Sequence, residues 1–412
     1  MRRILLLLVT ATIGFALYYS NCSYFLQGFV LDLGSLTLPA PRQLAWLYAW
    51  TILGLPIALC LGLALAGLLR RAQDGERLLT VFKRGPDAPW ILGASLLALV
   101  APAAIRALLL HGAPLTDDES AYRFSAELLA SGRLWVPSHD MKPFFDHLFM
   151  INDGRFRPYY FLGWPALMVP GVWLGIYGGI NSLYSALTVP PLYFILRRTT
   201  SPAWARAGLV LYLLSPFLLI GSATGLSHTT CTMALAWLAW LVLRSRDPGS
   251  PTWTHAAVAL FFSLAFFIRP QSALGAGLPF LLVWAVGLRQ CARGPRRRAW
   301  LAFALPALLA AGLFLHLNQT LFGGYLTTGY HAAIADIVAN QTGFDAVAAA
   351  SPVPGFDFGL ASGAAKTAVA LLRENFAFFG WPFSFLFLPW AWNHRGARPF
   401  WASFLLLHAF LF

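Results

Sequence analysis

The sequence predicts an all-α polytopic membrane protein, with about eleven transmembrane helices and further juxtamembrane helices in two long outer loops. Three observations predict it. The 412 residues are 58% hydrophobic and only 11% charged, whereas roughly a quarter of a soluble domain is charged. The apolar residues fall in runs near the roughly 20 residues that a helix needs to cross a bilayer. The basic residues, which give a net charge of +13 and a pI of about 10.0, sit between those runs. They do not form the continuous patch that a nucleic-acid partner would need.

In chain order the runs are 4–20, 44–69, 89–110, 180–196, 204–222, 228–243, 255–269, 271–288, 299–318, 376–392 and 399–412. The first follows Met1, Arg2 and Arg3 and lacks a convincing small-residue cleavage site, so it reads as a retained signal anchor. Alternating the spans from a cytoplasmic N-terminus puts nineteen of the 29 basic residues inside. They are Arg2, Arg3, Arg70, Arg71, Arg77, Lys83, Arg84, Arg197, Arg198, Arg206, Arg244, Arg246, Arg289, Arg293, Arg296, Arg297, Arg298, Arg395 and Arg398. Of the 16 acids only Asp74, Glu76, Asp87 and Asp247 share that side. Lys and Arg collect in short cytoplasmic loops, so this phase of the spans is the expected one. The net charge is therefore an orientation signal.

This topology leaves outer segments at about 111–179 and 319–375. Loops of that length are functional or disordered, and their aromatic and glycine content without low-complexity runs argues for function. The stretch 160–178 is apolar enough to span, but a span there would move Arg197 and Arg198 outside. It reads as an interfacial or re-entrant helix. Trp46, Trp90, Tyr159 and Trp164 read as interface anchors. Cys22 falls outside, Cys291 inside, and Cys60 and Cys231 within spans, so no disulfide is expected.

Just outside the third run stand Asp117, Asp118 and Glu119, three consecutive carboxylates in an acid-poor chain. Thr116 and Glu119 have the spacing of a capping box, and acids suit the first turn of a helix. An amphipathic helix follows to Gly132, with Ala121, Phe124, Leu128 and Leu129 on its apolar side and Arg123 paired with Glu127. The cap occupies Thr116 and Glu119 and gives Asp117 and Asp118 no structural task. A carboxylate fixed in direction at a membrane surface can take a proton from a hydroxyl.

The order of motifs here resembles the GT-C glycosyltransferases of the protein-mannosyltransferase and aminoarabinose-transferase type. Asp118-Glu119, Tyr122 and Ser131-Gly132-Arg133 match the first outer loop of that group. Asn152-Asp153-Gly154-Arg155 and Tyr159 to Gly163-Trp164-Pro165 resemble its surface helix, although Tyr160, Phe161 and Leu162 stand where Pro-Pro is expected. Arg269-Pro270-Gln271, and Asn318 through Phe322-Gly323-Gly324 to Tyr330, also fit. The likeness covers about 89–390. It implies a GT-C-like core there (89–390), which the apolar runs precede with a pair of spans and a cytoplasmic loop (1–88) and follow with a final span (391–412), where members of that group usually continue into further spans or a soluble domain.

The resemblance implies a polyprenyl-phosphate sugar as donor and transfer on the outer face to a glycan, lipid or protein acceptor. It implies Asp118 as general base, Glu119 as an orienting acid and Asp117 as the alternative base. The departing lipid phosphate needs an outer cation. Arg269 leads, with Arg106 beside the acids and Lys142, Arg155, Arg157, Lys366 and Arg373 behind it. Tyr122 and Tyr159 join the substrate contacts. His139, Asp140, Asp146 and His147 match no metal-ligand spacing, so a divalent metal is not favoured. The expected location is a bacterial inner membrane with a periplasmic site. Two rivals remain: a transporter or flippase for lipid-linked sugars, against which stands the near absence of acids within spans, and an inactive GT-C-like assembly subunit.

Overall fold

The computed structural model describes residues 80–141, 144–145, 149–333 and 400. The chain divides into two units, Met1–Arg84 with Gly343–His394 and Phe412, and Gly85–Thr342 with Arg395–Leu411. The elements below belong to the second unit. The expected spans at 4–20, 44–69 and 376–392, and all but Phe400 of 399–412, lie outside the described residues.

The unit is mostly helical. Helix α1 (Asp87–Leu108) carries Asp87 in its first turn and Arg106 in its last, each placed to complement the helix dipole. Helix α2 (Asp117–Ala130) is the amphipathic helix after the acidic cluster and buries Ala121, Tyr122, Ser125, Ala126 and Leu128. Three short strands follow, β1 (Val136–Pro137), β2 (Met150–Asn152) and β3 (Arg155–Pro158). They form an antiparallel sheet in the order β1-β3-β2. Asp153 and Gly154 make the two-residue turn between β2 and β3, with Gly154 at φ +98°, a conformation that favours glycine. This sheet is an addition to the helical loop expected from the sequence.

Helix α3 (Gly163–Trp173) has eleven residues, about 16 Å of rise. That is too short to cross a bilayer of about 30 Å, so α3 alone does not make the stretch 160–178 a span. Its start presses on the end of a later helix: a Cβ at Gly163 would sit 2.5 Å from the carbonyl oxygen of Phe267 and 2.6 Å from the nitrogen of Ile268. Only glycine allows this approach, and it brings the Tyr159, Tyr160 and Phe161 segment against Arg269.

Then come α4 (Ile180–Thr199), α5 (Pro202–Leu214), α6 (Pro216–Ala223), α7 (His228–Arg244), α8 (Trp253–Ile268), α9 (Pro270–Leu288) and α10 (Arg293–Phe322). The expected span 204–222 is corrected. It is two helices broken at Ser215, which is extended at ψ 113° before Pro216, because a residue preceding proline avoids the α conformation. Helix α9 contains a π turn at Ala273–Gly277, a feature that often marks functional sites. Helix α10 ends at Gly323, φ +75°, a left-handed C-cap.

Three of these helices, α1, α9 and α10, are long and apolar enough to cross a membrane. Leu92 and Leu96 on α1 and Leu305 and Leu308 on α10 are 60–71% exposed, which suits contact with lipid. Helix α4 packs on α1 and α7, α7 on α8, and α8 on α10. The two ends of this assembly differ in chemistry. At one end Arg198 pairs with Asp247 at 2.6 Å and Arg206 with Asp87 at 2.5 Å, and most of the arginines of the helix termini gather there. The acidic start of α2, Arg269 and the sheet belong to the other end.

Candidate functional site

The stretch 222–227, the last two residues of α6 and the turn that leads into α7, is the connector that organises the second end. Asn181, fully buried, donates from Nδ2 to the carbonyls of Thr224 (2.9 Å) and Leu226 (2.8 Å) and accepts from the Thr230 hydroxyl (2.9 Å). Trp164 donates its indole N–H to the Gly225 carbonyl at 2.7 Å. Trp164 is thus completely buried, correcting its expected place as an interface anchor. The irregular backbone of this turn is satisfied from four sides, as buried peptide groups require.

Arg106 and Glu119 fasten the same turn to α1 and α2. Arg106 donates to the carbonyls of Ala223 (3.0 Å) and Gly112 (2.9 Å). One Glu119 carboxylate oxygen accepts from Leu115 N–H (2.9 Å) and the other from Gly225 N–H (2.6 Å). The two charges stand 3.6 Å apart. The expected capping box is corrected here: the Thr116 side chain makes no cap hydrogen bond, and Glu119 reaches back to Leu115, one residue before the cap. Gly178 covers the pair so closely that a Cβ there would enter the Arg106 guanidinium. With their polar atoms committed, Arg106 and Glu119 position the site.

Asp118 points elsewhere. Its Oδ1 accepts a hydrogen bond from the Tyr160 hydroxyl. Tyr160 stacks among aromatic rings, 4.5 Å from Tyr122 and 4.6 Å from Tyr159 by centroid. Tyr330 stands edge-on to Tyr159 at 4.9 Å and to Tyr160 at 6.1 Å. Burial and the Asp118 hydrogen bond raise the Tyr160 phenol far above its ordinary range. Burial likewise raises Tyr122, Tyr159 and Tyr330, so all four phenols keep their protons at neutral pH.

Tyr122, Tyr160, Phe161, Ile268, Arg269, Gln271 and Tyr330 enclose a cavity of about 200 Å³. Arg269, the extended residue before α9, donates to the hydroxyls of Ser227 (3.1 Å) and Ser272 (3.4 Å). Ser227 also lies 3.4 Å from the Tyr122 hydroxyl. No carboxylate pairs with Arg269 among the described residues. A guanidinium held by neutral hydroxyls at a cavity wall is able to accept an anion.

The remaining sequence candidates are placed differently. Asp117 is exposed at the first residue of α2. Tyr122 and Tyr159 belong to the aromatic cluster. Arg157 holds Asp153 bidentately at 2.7 and 2.9 Å across the β2–β3 turn, a bond that lowers the Asp153 carboxyl, so Arg157 braces the sheet. Arg155 stacks over Trp135 at 4.5 Å. His139 accepts from Met141 N–H at 3.1 Å and rests on Phe145. Lys142, Asp146, His147, Lys366 and Arg373 lie outside the described residues.

Sequence reasoning missed the connector, Ser227 and Ser272, and named Tyr160 only as a departure from a pattern. The buried Asn181 near the start of an apolar run was the available signal for the connector, since an amide there needs partners. No protein-family model, no curated protein and no solved structure matches this chain.

Proposed function

We propose that this protein is a membrane glycosyltransferase that moves a sugar from a polyprenyl-phosphate donor to an acceptor hydroxyl on the outer face. In this reading the chain has the roughly eleven spans and GT-C-like core of the sequence resemblance, and the basic end faces the cytoplasm. The observation that carries it is the pairing of opposite chemistries around one aromatic cavity: Asp118 behind Tyr160 on one side, and on the other Arg269, which has no carboxylate partner among the described residues. The base removes the acceptor's proton during attack on the anomeric carbon. The guanidinium stabilises the negative charge that develops on the departing lipid phosphate.

Aromatic walls suit the apolar faces of a sugar ring, and the lipid tail runs out along the exposed leucines of the neighbouring helices. Arg106 and Glu119 contribute by holding α2, and with it Asp118, against the 222–227 connector. The test incubates membranes containing the protein with radiolabelled polyprenyl-phosphate hexoses. Transfer by the wild type and its loss in Asp118→Asn support the reading. Full transfer by Asp118→Asn removes Asp118 as base, and no transfer by the wild type from any such donor removes the function.

A further inference from the structure

Asp118 does not itself line the cavity. None of the described lining residues is a carboxylate, and Asp118 reaches that space through Tyr160, whose hydroxyl donates to Asp118 Oδ1 and whose ring forms part of the wall. An acceptor hydroxyl lying beside Arg269 meets the Tyr160 oxygen before it meets Asp118. A phenol oxygen can accept one hydrogen bond while donating another. The ring is fixed by Tyr122 at 4.5 Å, Tyr159 at 4.6 Å and Phe149 at 6.0 Å, which leaves the hydroxyl little freedom to swing aside.

We propose that Tyr160 is a catalytic residue that relays the acceptor's proton to Asp118, an inference that rests on the glycosyl-transfer reading of this cavity. As the acceptor oxygen bonds to the anomeric carbon, the bond from that carbon to the phosphate oxygen breaks. Its electron pair leaves with the lipid phosphate, beside Arg269. The acceptor's proton passes to the Tyr160 oxygen while the Tyr160 proton passes to Asp118 Oδ1. The step ends with a neutral phenol, a neutral Asp118 carboxylic acid and one more negative charge on the phosphate. Asp118 later returns its proton through Tyr160 to water. Burial and the neighbouring carboxylate disfavour a free tyrosinate, so the two proton transfers are concerted.

The test uses the full chain in proteoliposomes with radiolabelled polyprenyl-phosphate mannose or glucose, and water as the acceptor, since water must lose a proton by the same route. Tyr160→Phe lowers kcat by about 100-fold or more, the scale of general acid–base contributions, while donor KM stays near wild type. In mixtures of light and heavy water the wild-type rate bows below a straight line, as two protons in flight require. The double variant Tyr160→Phe with Asp118→Asn loses no more than the worse single variant, because residues acting as one unit are not additive. Wild-type kcat in Tyr160→Phe, or a linear isotope dependence in the wild type, overturns the relay and leaves the transferase reading standing. A Tyr160→Phe variant that loses donor binding along with turnover also overturns it, since Tyr160 then only shapes the wall. Failure of the wild type both to release sugar to water and to transfer it in membranes, from any polyprenyl-phosphate donor, removes relay and reading together.

Discussion

Arg269 is the residue on which donor affinity should turn. Among the described residues its guanidinium hydrogen-bonds the Ser227 and Ser272 hydroxyls and no carboxylate, which leaves its charge to be answered by a phosphate. Arg269→Ala should raise donor KM by about 10- to 100-fold, the worth of a hydrogen bond to a charged group. Arg269→Lys should recover part of that, having charge without the planar fork. Steady-state kinetics with varied donor decide it, and an unchanged KM in Arg269→Ala removes the phosphate role. Arg157 makes a contrasting case, because its charge is already answered by Asp153. The Asp153 carboxyl is lowered in the folded state, so the stabilisation is complete above its unfolded value of about 3.9 and is lost as pH falls through the lowered one. Arg157→Met should return the Asp153 titration to the ordinary carboxylate range, as NMR of that side chain would record, with donor KM unaltered. Both arginines were named from the sequence as candidate phosphate partners. Which one has no carboxylate partner among the described residues was not legible there, since Asp153 is four residues from Arg157, whereas Ser227 is 42 residues from Arg269 and only the fold brings them together.

Among the elements, the 222–227 connector decides where the others sit. It is held by Arg106, Glu119, Trp164 and Asn181, and the Arg106–Glu119 pair is almost wholly buried, with side chains 11% and 3% exposed. Removing one member of a buried pair costs about 3–5 kcal/mol, because the other charge is stranded. Glu119→Gln also turns an amide donor toward a backbone N–H. It should therefore lower the unfolding midpoint in detergent markedly. A Glu119→Gln protein as stable as wild type would sink the clamp. The elements themselves were partly legible. Seven apolar runs coincide with helices or helix pairs because periodicity and length survive any tertiary arrangement. The break at Ser215 and Pro216 was visible as a proline inside a run. The Asp153-Gly154 hairpin signal was also present in the sequence, although its flanking strands are too short to show alternation.

For the whole molecule, the separation of its two ends carries a prediction independent of catalysis. Arg198 with Asp247, and Arg206 with Asp87, tie together the basic end, and exposed Cys291 lies just past α9 at that end. Asp140, exposed, lies in the loop that carries the sheet at the other end. If α1, α9 and α10 cross a bilayer, these two positions stand on opposite sides of it. Short basic segments stay in the cytoplasm, so Cys291 should be inside and position 140 outside. In spheroplasts, with the other cysteines replaced by serine, a membrane-impermeant maleimide should label Asp140→Cys at once in a Cys291→Ser background. With position 140 left as Asp, Cys291 should be labelled only after the membrane is permeabilised. The reversed pattern would place the Asp118 and Arg269 cavity on the cytoplasmic face and overturn transfer on the outer face. Labelling of both positions from one side would overturn the opposed ends themselves, because α9 would then not cross the bilayer between the Arg269 cavity and Cys291.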